Sequence, residues 1–398
     1  MVVEVLTVLA EAVACNDVKA KDAVVRRLLT ILAALGLATV GGVVVALKFW
    51  PSFGGSVSAE RVSQLRASPQ YRDGRFENVI PQTPRTTAMM WDYAKWQYMG
   101  TELRRPPAPI PVVPVATATF NVAPAPGLRA IWFGHATVYL EVDGVRVMVD
   151  PILSEYASPV AGIGPKRFHA PPLALAALPR IDAVMISHDH YDHLDMRTIQ
   201  QLQATGSHFF VPLGVGAHLV RWGVPQSQYT ELDWWQSATV KGLQITSTPV
   251  RHYSGRGLRD GNATLWSSWV IVSAGHRIFY SGDTGFSGHF QTIGERFGPF
   301  DLSLIKIGAY GPGQTWIDIH MDPEDAIKAH LMLKAKRMLP VHWGTFNLAF
   351  HAWDEPIERA VKAARASGVD LVTPRVGEVV TANAPFVSYS WWILPRNR

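Results

Sequence analysis

Ser187-His188-Asp189-His190-Tyr191-Asp192-His193 places three imidazoles and the carboxylate of Asp192 within six positions, directly after the apolar run Ala183-Val184-Met185-Ile186. An apolar run that ends abruptly in ligand-type side chains reads as a buried strand delivering a loop to a metal site. The pattern His-x-His-x-Asp-His is asymmetric, which suits two adjacent ions better than one. His188 and His190, two apart, can converge on one ion from the same side of an extended loop. Asp192 and His193 are adjacent, point differently and serve a neighbouring ion. Each ion needs about three protein ligands and an open position for water. Each is therefore short of at least one ligand, a bridging group is wanted, and hydrolytic chemistry is implied.

Three later residues share one context, an apolar strand, then a ligand, then glycine nearby. His252 follows the run 243–250 and precedes Ser254-Gly255-Arg256-Gly257. Asp283 stands in Ser281-Gly282-Asp283-Thr284-Gly285 after the strand at 277–280. His342 ends Met338-Leu339-Pro340-Val341 and precedes Trp343-Gly344-Thr345. Glycine lets the backbone bend close to an ion, and strand ends hold ligands rigidly.

The 398 residues are 48% hydrophobic and 17% charged, with a formal net charge of +5. Such a chain can bury a full core and is neither disordered nor highly charged. It has no dense Lys/Arg block, so a nucleic-acid partner is not expected, although a modest attraction to anionic lipid is compatible with the charge. Cys15 is the only cysteine. Intrachain disulfides are therefore excluded, and any metal site beyond it must use His, Asp or Glu.

Residues 28–47 carry no charged side chain, and a helix of that length rises about 30 Å, enough to cross a bilayer core. Lys19, Lys21, Arg26 and Arg27 precede it; Lys48 and Phe49-Trp50 follow. We expect a single-pass membrane anchor, its N-terminus cytoplasmic and the main domain on the other, periplasmic side. The rival is a signal peptide cut after Val57-Ser58-Ala59; a buried soluble helix is disfavoured by Gly36, Gly41 and Gly42.

Four segments are expected: 1–27, the transmembrane helix 28–47, an extended arm 48–127, and a hydrolase domain 128–398. In the arm, 61–67 suits a short helix, and 86–100 carries Met89, Met90, Trp91, Tyr93, Trp96 and Tyr98. Pro106-Pro107-Ala108-Pro109-Ile110-Pro111 with Pro114, Pro124 and Pro126 favours polyproline extension. The arm should wrap the body or space it from the bilayer, its aromatic residues packing on that body, with contact at the membrane interface as the alternative, or helping to define an acyl groove. From 128 onwards strands read at 129–133, 137–142, 145–149, 183–187, 208–211, 243–250, 265–272, 277–281, 302–307 and 338–342. Asp143-Gly144 marks a hairpin. Helices read at 195–204, 214–222, 323–335 and 356–367, the last closed by Gly368. Strands first, then strand–helix alternation, repeated in a second half, suggest two β-layers covered by helices.

These motifs together resemble the metallo-β-lactamase superfamily, an α/β class with an αββα sandwich, and within it the N-acylphosphatidylethanolamine-hydrolysing phospholipase D group. The stretches that carry the resemblance span about 128–355: Trp132-Phe133-Gly134-His135-Ala136-Thr137, Asp150-Pro151, Gly164-Pro165-Lys166-Arg167-Phe168, 187–195, Leu265-Trp266-Ser267-Ser268-Trp269, Gly282-Asp283-Thr284-Gly285 and His342-Trp343-Gly344-Thr345-Phe346. The resemblance implies that His188, His190 and His252 hold one zinc and that Asp192, His193 and His342 hold a second, with Asp283 and a hydroxide bridging the two. Iron or manganese would also suit an all-His/Asp set. His135 matches a family motif as a supporting residue, not as a ligand.

The implied reaction is hydroxide attack on the phosphorus of N-acylphosphatidylethanolamine, releasing N-acylethanolamine and phosphatidate. Asp192 or Asp283 would orient the water and accept its proton. His320, in Asp318-Ile319-His320-Met321-Asp322-Pro323, is the candidate for the leaving oxygen, and Tyr310 a candidate phosphate contact. Phospholipid and membrane are the expected partners, and a homodimer is compatible with the sequence. Gly313, where the family carries a basic residue, and Gln314-Thr315-Trp316-Ile317 depart from the pattern and put head-group and acyl preference in doubt. Alternatives are a lactonase or small phosphoester hydrolase of the same superfamily, or a non-catalytic, membrane-tethered metal-binding protein. A nuclease would need a basic channel, which is not visible here.

Overall fold

The computed structural model describes residues 18–84, 86–100, 103–257, 259–311, 314–382 and 384–395. Cys15 and Gly313 lie outside them, as do the side chains of Lys19, Lys21, Lys48, Phe49, Met89, Trp96, Tyr98, Gln314 and Thr315. The chain divides into two units, Met1–Phe53 and Gly54–Arg398. The first contains the helix Val18–Phe49, longer at both ends than the apolar stretch 28–47. Its segment Asp22–Val45, with mean hydropathy 2.4 over its most apolar 18 residues, is long and apolar enough to cross a membrane.

Of the two expectations for the arm, wrapping the body and spacing it from the bilayer, the packing from Gly54 onwards matches the first, although helices and a hairpin interrupt its extended course. From Gly54 it belongs to the same unit as the body. It contains the helix Ala59–Leu65, a hairpin of β1 (Tyr71–Arg72) and β2 (Arg75–Phe76), and the helix Thr87–Met99. The physical reason is burial: Leu65 and Phe76 pack with Trp234, Leu265 and Trp266 of the body. Ser58 caps the first of these helices by accepting a hydrogen bond from the Arg61 amide. Only the Pro-rich stretch runs as expected, extended along the body, where the Val113 amide donates to the Val376 carbonyl and the Val115 amide to that of Pro172.

Period-two burial builds the first layer. In β3 (Leu128–Gly134), Leu128, Ala130 and Trp132 enter the main core, whereas Ile131 and Phe133 face a second cluster. In β4 (Thr137–Val142) and β5 (Val145–Val149), Val138, Leu140, Val142, Val145, Val147 and Val149 face the main core, and Tyr139 and Met148 the second cluster. β6 (Ala183–Met185) and β7 (Phe209–Pro212) continue the pattern. The second cluster includes Ile199, Leu202, Val215 and Leu219 from the helices Met196–Ala204 and Gly216–Arg221, so one face of the sheet meets helices. With β8 (Tyr229–Leu232), the layer has an antiparallel start and a parallel end, β5 to β8.

The second layer repeats this design. β9 (Ser237–Val240), β10 (Leu243–Thr248), β11 (Ser268–Val272) and β12 (Arg277–Tyr280) are antiparallel; β13 (Leu302–Lys306), β14 (Arg337–Val341) and β15 (Asp370–Leu371) then add in parallel. β16 (Val379–Thr381) returns to pair with β3, giving seven strands per sheet in the orders β16-β3-β4-β5-β6-β7-β8 and β15-β14-β13-β12-β11-β10-β9. The main core joins Leu140, Val147 and Met185 of the first sheet to Ile245, Trp269 and Leu304 of the second. Phe290 and Ile293 of the helix His289–Phe297, Ala326 of the helix Pro323–Met332 and Ile357 of the helix Glu355–Ser367 belong to the same core. The αββα sandwich is thus established.

Candidate metal centre

Seven separated residues meet where strands of both sheets end. His188, His190, Asp192 and His193 follow β6, His252 follows β10, Asp283 follows β12 and His342 follows β14. Two donor groups form. One joins His188, His190 and His252; the other joins Asp192, His193 and His342 with His135, and in each the ligand-type atoms lie within 4.8 Å of one another.

Asp283 stands between them. Its Oδ2 lies 3.1 Å from His342 Nε2, 3.3 Å from His193 Nε2, 3.9 Å from His252 Nε2 and 3.8 Å from His320 Nδ1. Asp192 Oδ2 lies 3.3 Å from His342 Nε2 and 3.4 Å from His193 Nε2. Yet His193 Nε2, His342 Nε2 and Asp283 Oδ1 are buried without a hydrogen-bond partner among the described residues. Donor atoms that converge at these distances but miss hydrogen-bond geometry would be costly by themselves. Ligands about 2.0–2.1 Å from a tetrahedral ion stand roughly 3.3 Å apart, which these spacings match. The donor set fits divalent metal.

Local chemistry turns the free lone pairs inward. His252 Nδ1–H donates to the Ile319 carbonyl at 3.0 Å, leaving Nε2 toward His190 Nδ1, 3.4 Å away. His188 Nε2 lies 2.8 Å from the same His190 atom. Gly282 has φ 54°, and a Cβ there would meet Ser187 Cβ at 2.6 Å, so glycine is required before Asp283. His135, Asp150 and His342 adopt φ 52°, 37° and 64°. Such left-handed backbone costs about 1–3 kcal/mol for a non-glycine residue and persists where surroundings over-determine it. Here the His342 amide donates to the His135 carbonyl, and the His135 amide to Thr345 Oγ1.

The electrostatics are those of a site built for positive charge. Burial would raise the carboxyl of Asp283, but His342 and His193 beside it hold it well below the ordinary carboxylate range. Asp192 is likewise held well below, its burial outweighed by His193, His135 and His342. Burial pulls His193 down, but Asp283, Asp192 and Asp150 push it well above the usual imidazole range. Burial lowers His252 to about 3 and, with the neighbouring imidazoles, sends His188 well below 6.5. The carboxylates are ionised and His188, His190 and His252 neutral, as metal ligation needs, whereas His193 and His342, raised by the carboxylates beside them, would each release a proton to an arriving ion.

His320 joins the centre's edge in a group with His252 and Asp283. Burial and the neighbouring Lys306 keep its imidazole neutral. Its ring lies 5.5 Å from that of Trp316, which meets Phe350 at 5.5 Å and Tyr93 at 6.1 Å, so the arm helix Thr87–Met99 contributes to an aromatic wall. Beside His135 and His342 a pocket opens, lined also by Arg104, Phe346 and Trp353. Tyr310 is not brought to the cluster. Its hydroxyl donates to Glu355 Oε1 at 2.8 Å and its ring stacks on His351, so a phosphate contact from this phenol would compete with the Glu355 carboxylate.

Two supporting residues carried no assigned role in the sequence. Asp150 accepts from His193 Nδ1 (2.6 Å), the Ser187 amide (2.6 Å), Ser187 Oγ (2.5 Å) and Tyr280 OH (2.5 Å), so it aims His193 Nε2 at the centre. An acid directly after the strand at 145–149 was the available signal. Lys306 is fully buried, its Nζ donates to the Gly308 carbonyl, and burial lowers it to about 8. His135 Nε2 sits 3.0 Å from Asp192 Oδ2; burial lowers this imidazole to about 3, so it donates to and orients that carboxylate.

A family profile described as a beta-lactamase superfamily domain matches residues 145–343. The chain belongs to that superfamily. A metallo-β-lactamase fold with this donor set makes it a metal-dependent hydrolase. It is 45% identical over 359 residues to Uncharacterized protein Rv0906 of Mycobacterium tuberculosis, covering 88% of this chain and 94% of that protein. It is 38% identical over 232 residues to N-acyl-phosphatidylethanolamine-hydrolyzing phospholipase D 1 of Caenorhabditis elegans, covering 56% of this chain and 65% of that one. The crystal structure of isothiocyanate hydrolase from Delia radicum gut bacteria matches in fold, with TM-score 0.51 and 21% identity over 66% of this chain and all of that one.

Proposed function

We propose that this protein is a membrane-anchored, dinuclear zinc phosphodiesterase of phospholipase D type, cleaving N-acylphosphatidylethanolamine into N-acylethanolamine and phosphatidate. The observation that carries the proposal is Asp283 Oδ2 lying between two groups of donors, with His320 3.8 Å away. Similarity to the Caenorhabditis elegans phospholipase supports the substrate class. The aromatic wall of Tyr93, Trp316 and Phe350 suits acyl chains, and the apolar helix suits a substrate held in a bilayer.

In this reading His188, His190 and His252 would hold one ion and Asp192, His193 and His342 the other, with Asp283 available to both. Two such ions would acidify a water and neutralise phosphate oxygens as charge builds in the transition state. Asp192 and Asp283 would orient that water, and Asp283 Oδ1, buried without a hydrogen-bond partner among the described residues, would accept its proton. The water oxygen joins phosphorus as the bond to the ethanolamine oxygen breaks. His320, neutral at its site, would donate a hydrogen bond to that departing oxygen, and the proton taken up by Asp283 would pass to it, so that N-acylethanolamine leaves as the alcohol and the carboxylate is restored.

Purified full-length protein in N-acylphosphatidylethanolamine micelles, assayed beside a lactone panel in ¹⁸O-water, tests the reading. The expected result is N-acylethanolamine release with the label entering phosphatidate. Hydrolysis of lactones alone would replace this reading with that of a lactonase on the same metal centre.

A further inference from the structure

The backbone of His252 lies beyond the end of β10, where no neighbouring strand satisfies its amide and carbonyl. One side chain from the arm does both. Asn78 Nδ2 donates to the His252 carbonyl at 2.7 Å, and the His252 amide donates to Asn78 Oδ1 at 3.0 Å. The same Oδ1 accepts from Trp266 Nε1 at 3.1 Å, and Gln82 Nε2 adds a second bond, 2.9 Å, to the His252 carbonyl.

We propose that Asn78 is a positioning residue of the metal centre: its amide acts as a substitute strand for His252 and fixes where that imidazole points. Asn78 sets the main chain of His252 and the Ile319 carbonyl sets its ring through Nδ1, so both ends of the ligand are held before any ion arrives. The neighbouring contacts form one strap. Arg251 reaches the Pro81 carbonyl at 2.6 Å and Asp318 at 2.7 Å, and the Thr83 amide donates to the other Asp318 oxygen at 2.6 Å. Residues 78–83 therefore tie together the loops that carry His252 and His320. The segment before the β-sandwich is part of the site rather than a spacer. This inference rests on the metal-centre reading and not on the identity of the substrate.

The test titrates the metal-free full-length chain with Co²⁺ alone, following ligand-field absorption, and measures Zn²⁺ affinity by chelator competition. In Asn78→Ala one of the two metal equivalents should weaken by about 10–100-fold, while the other stays within about 3-fold. Asn78→Asp keeps the acceptor for the His252 amide but turns an oxygen toward the His252 carbonyl, so it should weaken the same equivalent and serves if the alanine variant does not fold. Phe76→Leu, which loosens the same segment at a residue buried against Trp266, is the control. It should lower thermal stability and leave both affinities unchanged. Wild-type affinity at both equivalents in either Asn78 variant would overturn the proposal, and so would equal weakening in Phe76→Leu. A wild-type chain that binds no cobalt would remove the metal centre itself, whatever the substrate assays show.

Discussion

Asp150 holds His193 from behind through Nδ1, while its Nε2, turned toward Asp192 and Asp283, has no hydrogen-bond partner among the described residues. Replacing Asp150 by alanine would remove the acceptor of the Ser187 amide and the Tyr280 hydroxyl and the 2.6 Å partner of His193 Nδ1. We expect metal affinity to fall about 10–100-fold and stability to drop by about 2–4 kcal/mol, measured by chelator competition and thermal unfolding. Asp283→Ala should abolish activity and lower metal content, because it removes the shared ligand; full activity in that variant would contradict the assignment. His320→Asn should lower turnover with metal content unchanged in elemental analysis, and loss of metal would show instead that His320 is a ligand. The donors were legible because each is a ligand-type residue closing an apolar strand. Asp150 was not, because its role depends on Ser187 and Tyr280, 37 and 130 positions away. The hydrogen bond from Tyr310 to Glu355 was hidden for the same reason, since 45 positions separate the partners.

Strands buried on one or both faces announced themselves. β3, β4 and β5 fall within a residue or two of their expected ranges, and Gly368 ends its helix in the left-handed conformation, φ 67°. Elements lacking apolar density did not. β9 lies on a sheet edge with exposed Ser237 and Thr239, so no hydrophobic pattern marks it. The helix His289–Phe297 was hidden by Gly294, a residue that weakens isolated helices. Its reason is tertiary: a Cβ at Gly294 would sit 2.1 Å from the Met332 carbonyl oxygen at the end of the helix Pro323–Met332. Gly294→Ala should therefore destabilise the fold by about 1–3 kcal/mol despite its better helix propensity, with metal content unaffected. Thermal unfolding beside elemental analysis checks both halves. That the arm wraps the body was one of its two readings, but proline density says nothing of the particular side chains, such as Phe76 and Asn78, that bind it there.

At the scale of the whole molecule, the chain joins an apolar helix to a body whose chemistry is complete within Gly54–Arg398. A chain shortened to begin at residue 54 should leave the membrane fraction yet keep the metal content of the full chain; sedimentation with vesicles and elemental analysis of both forms decide this. The repeated halves of the sandwich explain why the centre needs both. The first sheet supplies the 188–193 loop, and the second supplies His252, Asp283 and His342, so neither holds a full ligand set alone. The central claim, that these seven side chains enclose a pair of divalent ions, is tested most directly by metal stoichiometry. Full-length protein loaded with Zn²⁺, freed of excess metal and analysed by inductively coupled plasma mass spectrometry should retain two equivalents per chain. Retention of none, or of two undiminished in Asp283→Ala, would contradict it.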